Sequence, residues 1–326
     1  MRAIWYEKTG AAASVLRFGE LPDPMPQPGE VRVRVHASGI NPSDVKARAG
    51  ARGPLAFPRV IPHSDGAGVI ESVGEGVDRA RVGERVWLWN AAWKRPFGTC
   101  AEFVSLPAVQ AVPLHVDCSF SAGACLGIPA STACHAVFCD GPVTGQTVLV
   151  TGGAGAVGHY AIQLARWGGA RVIATVSGPE KAAHAESAGV DAIVNYREGD
   201  VAAAIKHASG GAGVDRIIEV EFGGNIEVSN AVLKPSGTIV AYGSMAAPAP
   251  ALPFYPMMFN GVTLRMILVY LLEGAARERV IDYLTRATAE RGLNHAIAEE
   301  FPLEEAAAAH ELVESGKAIG NVVITL

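Results

Sequence analysis

Three glycines in the segment TVLVTGGAGAVG (147–158) have the spacing of a dinucleotide-binding turn. Gly153, Gly155 and Gly158 match the pattern GxGxxG and follow a short, apolar, β-branched run. The first glycine of this pattern permits a sharp turn, the second lets backbone approach a pyrophosphate, and the third lets the next helix pack closely on the strand. N–H groups and the positive dipole end of that helix would then face the phosphates. A purely structural turn is the alternative. The predicted contact residues are Gly153, Ala154, Gly155, Ala156, Val157 and Gly158.

Ser177 follows the next predicted strand, 171–176, about 20 residues after the glycines. Sites that prefer NAD usually have Asp or Glu there, which binds the ribose hydroxyls and would repel a 2′-phosphate. Serine leaves room for that phosphate and can donate a hydrogen bond to it. Lys181 and Tyr196 could add a cationic and a hydroxyl donor, although Lys181 could equally be a solvated lysine at a helix start. The sequence therefore predicts NADPH rather than NADH.

Composition excludes several classes of function. The chain has 326 residues, 49% hydrophobic and 18% charged, with a formal net charge of −5. This length and composition are typical of a compact protein with about two domains. No dense basic run suggests nucleic acid. The longest apolar stretch, 262–272, is interrupted by Arg265 and is shorter than the about 20 residues that cross a bilayer.

The five cysteines form no CxxC pair and are typical of reduced, buried thiols. Together with the absence of an apolar secretory core at the start, they predict a cytoplasmic protein. Cys134, His135 and Cys139 lie on one apolar, helical segment where two of the three project to different faces, so we expect no metal site there.

The order of predicted elements divides the chain into two parts. Residues 1 to about 120 are β-rich, with Val31, Val33 and Val35 alternating with polar residues. From about 125, strands alternate with helices, which predicts an α/β, doubly wound parallel sheet. The expected domains are 1–125, a distorted barrel onto which 269–326 folds back, and 126–268, a Rossmann domain. The strands predicted for the parallel sheet are 147–150, 171–176, 191–195, 214–220, 237–242 and 262–269.

Seven ordered blocks carry a family resemblance over almost the full length. The chain resembles the zinc-independent quinone oxidoreductases, including zeta-crystallin, of the medium-chain dehydrogenase/reductase superfamily. The resemblance implies a GroES-like catalytic domain, a Rossmann domain with NADPH in a cleft between the two, and a homodimer in which the strand at 263–270 pairs with its copy. A plain core strand covered by its own helices is the alternative for 263–270. The matching blocks are 39–50, 64–87, 98–108, 127–136, 150–158, 181–198 and 312–324.

The resemblance also bears on metal and substrate. Zinc-using relatives have a cysteine where this chain has Asn41 and Pro42, a histidine where it has Ser64, and a cysteine where it has Ile128. Without zinc, no Lewis acid would lower the pKa of an alcohol substrate. The expected hydride acceptor is therefore already electrophilic, a small-molecule quinone or α,β-unsaturated carbonyl.

Candidate site residues follow from the same resemblance. Asn41 of the NPxD motif could donate to a carbonyl oxygen, Asp44 could fix the loop, and Thr132 could orient the nicotinamide. A turn at Asn41 and Asp44, and a helix N-cap at Thr132, are the structural alternatives. Lys46 stands where relatives often have tyrosine, which leaves the substrate preference open. The loop after the predicted strand 237–242 should meet the nicotinamide ribose through Tyr242, Gly243 and Ser244.

Two other functions remain open. One is an enoyl-thioester reductase of the same superfamily, which usually needs a tyrosine acid near position 46. The other is a catalytically silent, NADPH-binding protein that resembles a crystallin or binds a partner. Turnover with a panel of acceptors discriminates between these classes.

Overall fold

The structure is a computed structural model that describes residues 1–291 and 293–326. These residues form fifteen strands and eleven helices, and none of the helices is both long enough and apolar enough to cross a membrane. The strands are β1 (Arg2–Trp5), β2 (Arg17–Glu20), β3 (Glu30–Ile40), β4 (Asp65–Val73), β5 (Arg85–Leu88), β6 (Phe103–Pro107), β7 (Ala111–Pro113), β8 (Thr147–Val150), β9 (Arg171–Val176), β10 (Ala192–Asn195), β11 (Val214–Glu219), β12 (Leu233–Ala241), β13 (Thr263–Met266), β14 (Ile297–Pro302) and β15 (Asn321–Thr325). The helices are α1 (Ala12–Val15), α2 (Pro42–Ala49), α3 (Phe120–Gly123), α4 (Ser131–Phe138), α5 (Ala156–Trp167), α6 (Pro179–Ser187), α7 (Val201–Ala208), α8 (Phe222–Val232), α9 (Phe254–Phe259), α10 (Gly274–Arg291) and α11 (Ala306–Glu314).

The described chain divides into two compact units. The first unit comprises Met1–Pro129 and His295–Leu326, and the second comprises Ala130–Asn294. These boundaries differ from the expected ones mainly near the C-terminus, where residues 269–294 belong to the second unit instead of folding back onto the first. The reason is helix α10, which packs on α4 and α5.

The second unit is built on a six-stranded parallel sheet with the order β10-β9-β8-β11-β12-β13. This is the order of a doubly wound Rossmann sheet, because β8 lies between β9 and β11 and the chain continues from it in opposite directions. Val148, Leu149 and Val150 of β8 are at most 1% exposed, as expected for a parallel strand covered on both faces. The predicted fold class is confirmed. Ligands of such sheets bind at the carboxyl ends of the strands near this switch point.

Two strands of this sheet differ from their predicted bounds by three residues or more at one end. β12 begins at Leu233 instead of 237, because Leu233 pairs with Val214 of β11 ahead of a register shift. β13 ends at Met266 instead of 269, and a 3₁₀ turn follows at Val269–Leu271. In the described part of the chain β13 is an edge strand with half-buried and exposed residues. The interpretation of this segment as a core strand covered by its own helices is therefore wrong.

The first unit is β-rich. Its largest sheet has the order β14-β15-β3-β4-β5-β7, and β6 pairs with β3 beside this path. The alternation predicted in β3 is confirmed, since Val31, Val33 and Val35 are at most 2% exposed. Strand β15 pairs antiparallel with β3, so the C-terminal tail completes this sheet.

Candidate functional site

The glycine turn joins β8 to α5. Gly152 is its left-handed residue, with a φ of 65°, so the sharp turn predicted at Gly153 lies one residue earlier. Gly153 instead permits close packing, because a Cβ there would lie 2.7 Å from the Cβ of Ala174. A Cβ on Gly158 would lie 2.3 Å from the carbonyl oxygen of Gly152. The left-handed backbone at Gly152 and the close contacts at Gly153 and Gly158 therefore require glycine at these three positions.

Gly155 differs, because no described residue requires a glycine there. It is exposed, its φ of −77° and ψ of 162° suit any residue, and a Cβ would meet only the carbonyl oxygen of Gly152, at 3.4 Å. Helix α5 begins at the next residue, and its first N–H groups have no partners within the helix. Bare backbone beside a helix N-terminus is the arrangement that accommodates a pyrophosphate. Ala154 is buried, and Ala156 and Val157 are half-buried in the same turn.

The fold brings together the three donors expected to bind a 2′-phosphate. Val176 of β9 pairs with Asn195 of β10, so Ser177 and Tyr196 directly follow neighbouring strand ends. Lys181 lies in the first turn of α6 and is half-buried, while Tyr196 is 48% exposed. All three residues thus follow the carboxyl ends of the neighbouring strands β9 and β10 within a few positions. This set complements a phosphate, which offers only acceptor oxygens.

A cavity of about 200 Å³ opens at the same edge. It extends from the glycine turn, at Thr151 and Gly152, to Tyr196 after β10. Val201 and Ile205 of α7 supply apolar walls. The cavity thus connects two parts of the predicted cofactor site through a largely apolar interior, as is typical of small-molecule sites.

Glu219, which sequence reasoning missed, organises the carboxyl edge. It ends β11 and is fully buried, and its Oε1 accepts hydrogen bonds from Thr151 Oγ1 (2.7 Å), the Glu221 backbone N–H (2.8 Å) and Asn225 Nδ2 (2.9 Å). Its Oε2 accepts from Ser229 Oγ at 3.1 Å. One carboxyl group therefore ties the glycine turn to helix α8. The sequence signal for this role of Glu219 is an acidic residue at the end of an otherwise apolar strand.

Tyr242, Gly243 and Ser244 directly follow β12, also at the carboxyl edge. The Ser244 hydroxyl is already used within the protein, since it accepts from the backbone N–H of Gly223 (2.9 Å) and donates to the carbonyl oxygen of Ala247 (2.6 Å). Ser244 therefore fixes the shape of this loop in the structure. Any cofactor contact by this segment stays a prediction.

Thr132 lies inside α4 and is 6% exposed. The N-cap of α4 is Ala130, so the alternative that Thr132 caps the helix is wrong. Thr132 belongs to the second unit, whereas Asn41 and Asp44 belong to the first.

Asn41 and Asp44 are linked at the start of α2. Asn41 is the N-cap residue, and its backbone N–H donates to Asp44 Oδ2 at 2.8 Å. The Asn41 side-chain amide donates to Asp65 Oδ2 at 2.9 Å, and the same oxygen accepts from the Ile128 N–H at 3.1 Å. Asparagine has two amide hydrogens, and one of them is thus directed at Asp65. This network fixes the orientation of the amide.

The carboxyl group of Asp44 is buried beside Tyr6. Burial raises the pKa of Asp44 to about 7, against the opposing effect of its hydrogen bonds from Asn41. Burial, together with the neighbouring Asp44, raises the pKa of Tyr6 to about 12. Asp44 can therefore hold or release a proton near neutral pH, whereas the Tyr6 phenol stays protonated.

A second buried network joins α11 to the sheet of the first unit. His310 Nε2 lies 2.9 Å from His63 Nε2, His63 Nδ1 lies 2.8 Å from Ser38 Oγ, and Ser38 Oγ lies 2.7 Å from Thr99 Oγ1. Both histidines are fully buried. Burial lowers the pKa of His63 well below its usual value and that of His310 to about 3, so both rings are neutral. No local pattern could reveal His310, because 247 positions separate it from His63.

The thiols and imidazole at 134–139 lie in separate surroundings. Cys134 is fully buried, and burial raises the pKa of its thiol. The Cys139 sulfur lies 3.5 Å from Arg216 Nη1 and 3.4 Å from Asp140 Oδ2. Over residues 1–291 and 293–326, no group of three or more His, Cys, Asp or Glu side chains is placed to hold a metal ion.

Two family models match the two parts of the chain. The model described as alcohol dehydrogenase GroES-like domain matches residues 27–116, and the model described as zinc-binding dehydrogenase matches residues 156–286. The quinone oxidoreductase of Rattus norvegicus is 31% identical over all of this chain and 98% of its own length. The 2-haloacrylate reductase of a Burkholderia species is 31% identical over 99% of this chain and 98% of its own length.

A solved structure extends the likeness to three dimensions. The Escherichia coli quinone oxidoreductase complexed with NADPH superposes with a TM-score of 0.87 at 25% identity, over 100% of both chains. Full-length similarity, the doubly wound sheet and the GroES-like match agree with one another. The chain therefore belongs to the quinone oxidoreductase, zeta-crystallin-like, family of the medium-chain dehydrogenase/reductase superfamily.

Proposed function

We propose that this protein uses NADPH to reduce a quinone or an α,β-unsaturated carbonyl compound. The exposed Gly155, which no protein contact explains, carries the proposal, because it leaves bare backbone beside the N-terminus of α5. Similar proteins support the class of reaction: the relative from rat is named a quinone oxidoreductase, the Burkholderia one a 2-haloacrylate reductase, and the E. coli structure contains NADPH.

The residues at the carboxyl edge of the parallel sheet suit NADPH. Backbone N–H groups of residues 156–158 would bind the pyrophosphate at the start of α5. Ser177 and Tyr196 would donate hydroxyl hydrogen bonds to the 2′-phosphate, and Lys181 would supply a positive charge. Glu219 keeps the glycine turn in place through Thr151. When bound, NADPH supplies a hydride.

The acceptor must already be electrophilic, because its conjugated system spreads the arriving negative charge onto oxygen. The second amide hydrogen of Asn41 would stabilise that oxygen. Asp44 holds the backbone of Asn41 and would exchange a proton with solvent near neutral pH. We assign to Thr132 the orientation of the nicotinamide. Lys46 of α2 is half-buried and stands where relatives often have the aromatic ring of a tyrosine. It would favour acceptors that can bind next to a positive charge.

We propose that the reaction does not use zinc. Where zinc-using relatives have Cys, His and Cys, this chain has Asn41, Ser64 and Ile128. Their side chains are an amide, a hydroxyl and an alkyl group, none of which belongs to the thiolate and imidazole set that binds zinc. Added zinc or a chelator should leave the rate unchanged.

We also propose a homodimer formed through β13. This edge strand ends at Met266, which is 74% exposed, and Leu268 just beyond is 45% exposed. Exposed apolar edges are usually paired or covered, and a twofold axis would pair β13 with its copy. Met266→Asp should shift the sedimentation of the protein from dimer to monomer, and a monomeric parent protein would overturn the proposal.

The five free cysteines support a reducing, cytoplasmic location.

The test is NADPH oxidation with 1,4-benzoquinone, 9,10-phenanthrenequinone, but-3-en-2-one and crotonyl-CoA as separate acceptors. We expect turnover with a quinone or the enone, and a loss of rate in Asn41→Ala at unchanged NADPH affinity. Preference for crotonyl-CoA would support the enoyl-thioester alternative. Saturable NADPH binding without turnover of any acceptor would overturn the proposal in favour of a catalytically silent protein.

A further inference from the structure

The first unit contains a cavity of about 570 Å³ that takes no part in the proposed reaction. It lies between the proline segment, residues 22–28, the loop 95–97 and residues 103–105 of β6. The proline segment is extended and belongs to no helix or strand, so it forms a wall of fixed shape. A volume of this size is in the range of about 300–1,000 Å³ that small-molecule sites occupy.

The walls of this cavity are mostly apolar. Ile61, Val104 and Phe103 are at most 9% exposed and form its inner surface, and Phe97 and Met25, which are 45% and 69% exposed, stand at its mouth. Large apolar side chains left exposed beside a concave surface are typical of a ligand site. An apolar molecule would cover them.

Ser105 supplies a polar group at the inner surface. It is 9% exposed, lines the cavity, and has a hydroxyl oxygen with no hydrogen-bond partner among the described residues. A buried hydroxyl without a partner is unfavourable. A change of its χ1 rotamer would turn this hydroxyl, which can both donate and accept, toward a hydroxyl or a carbonyl group of a ligand.

The charges around the cavity favour a neutral ligand. Arg95 Nη2 lies 3.1 Å from Glu30 Oε1, and Arg59 Nη2 lies 2.8 Å from Glu7 Oε1. Asp23 accepts from the amino group of Met1 at 2.9 Å. Each of the three cationic groups at the cavity, Arg59, Arg95 and the amino group of Met1, is thus paired with an acid, so the formal charges of these pairs cancel. An ionic ligand would have to disrupt one of these pairs.

We propose that this cavity binds a neutral molecule that contains aromatic rings and carries a hydroxyl or carbonyl group. The rings lie between Phe103 and the proline segment, and the polar group exchanges a hydrogen bond with Ser105 Oγ. The site is separate from the cofactor-binding residues and does not depend on the proposed reaction.

The probe for the test is 4-hydroxybenzophenone, which has two aromatic rings, carries both polar groups and crosslinks to nearby C–H bonds under near-ultraviolet light. Binding to the full chain is measured by ligand-detected NMR below the pKa of the phenol, with and without saturating NADPH. Crosslinked peptides are then identified by mass spectrometry. We expect saturable binding with a Kd of about a millimolar or below, unaffected by NADPH, and crosslinks within 21–30 or 95–105.

Matched variants make the result decisive. Ser105→Ala should weaken binding about fivefold without lowering the melting temperature, whereas Ser72→Ala, on β4 and outside the cavity, should bind as the parent does. Phe97→Ala should weaken binding about tenfold, while Phe18→Ala, equally exposed at 46% but outside the cavity, should not. No saturable binding, crosslinks only elsewhere, or equal weakening by the control variants would overturn the proposal.

Discussion

Replacing the glycines of the turn one at a time should separate the requirements of the fold from those of the cofactor. In Gly158→Ala the new Cβ would lie 2.3 Å from the carbonyl oxygen of Gly152, which belongs to backbone and cannot move aside cheaply. Such overpacking costs about 1–3 kcal/mol. In Gly155→Ala the nearest atom is 3.4 Å away, and the backbone conformation suits alanine. The gain from a stiffer unfolded chain is then about 0.4–1 kcal/mol.

For NADPH affinity we expect Gly155→Ala to have a specific effect, one that is not accompanied by a loss of stability. A Cβ on Gly155 occupies the space in which the pyrophosphate would approach the N-terminus of α5. Displacing the phosphates loses hydrogen bonds to a charged group, each worth about 1.5–3 kcal/mol. The Kd for NADPH should therefore rise about 10- to 150-fold. In Gly158→Ala any loss of affinity should accompany a loss of stability.

Thermal unfolding and fluorescence titration with NADPH measure the two effects separately. We expect the Tm of Gly158→Ala to fall by several degrees, at about 2–4 °C per kcal/mol, and that of Gly155→Ala to stay or rise slightly. The reasoning is refuted if Gly155→Ala melts as early as Gly158→Ala, or if it is stable and binds NADPH as tightly as the parent protein.

Three further predictions concern single residues. Ser177→Asp should weaken NADPH relative to NADH about tenfold or more in titrations of both, because a carboxylate would repel the 2′-phosphate; an unchanged ratio would count against the placement of that phosphate. Glu219→Ala should lower the Tm and NADPH affinity together, because buried donors lose their acceptor at about 1–3 kcal/mol each, whereas Glu219→Gln, which keeps one acceptor oxygen, should recover most of both. Burial raises the pKa of Asp44 to about 7, so between about pH 4 and 7 the folded state holds a proton that the unfolded state releases. The contribution of this protonated carboxyl group to the free energy of unfolding is on the order of 4 kcal/mol. It is full below about pH 4 and is lost as the pH rises through about 7. In denaturant titrations the free energy of unfolding of Asp44→Asn should decline less across that pH range than that of the parent protein. Parallel pH profiles of the two proteins would contradict the raised pKa.

Local spacing in the sequence determined the elements and one half of the site. The alternation of Val31, Val33 and Val35 predicted β3, and the apolar run before the glycines predicted β8. The glycine pattern and Ser177 indicated a dinucleotide and its phosphate. The predictions of β3 and β8 succeed because the formation of a strand depends on neighbouring residues. Even so, the left-handed residue proved to be Gly152, since two adjacent glycines offer the same freedom and only packing against Ala174 distinguishes them.

Tertiary structure alone decided the contacts between distant parts of the chain. The bonds of Glu219 to Thr151, of Asn41 to Asp65 and of His63 to His310 span 68, 24 and 247 positions. Only packing decides which polar group lies opposite which. The raised pKa of Asp44 and the unpartnered hydroxyl of Ser105 are likewise consequences of burial, which no residue can show by itself. The sequence thus determined the helices and strands and the class of cofactor. Tertiary packing determined which side chains hold the cofactor site in place, and it also formed the cavity of the first unit.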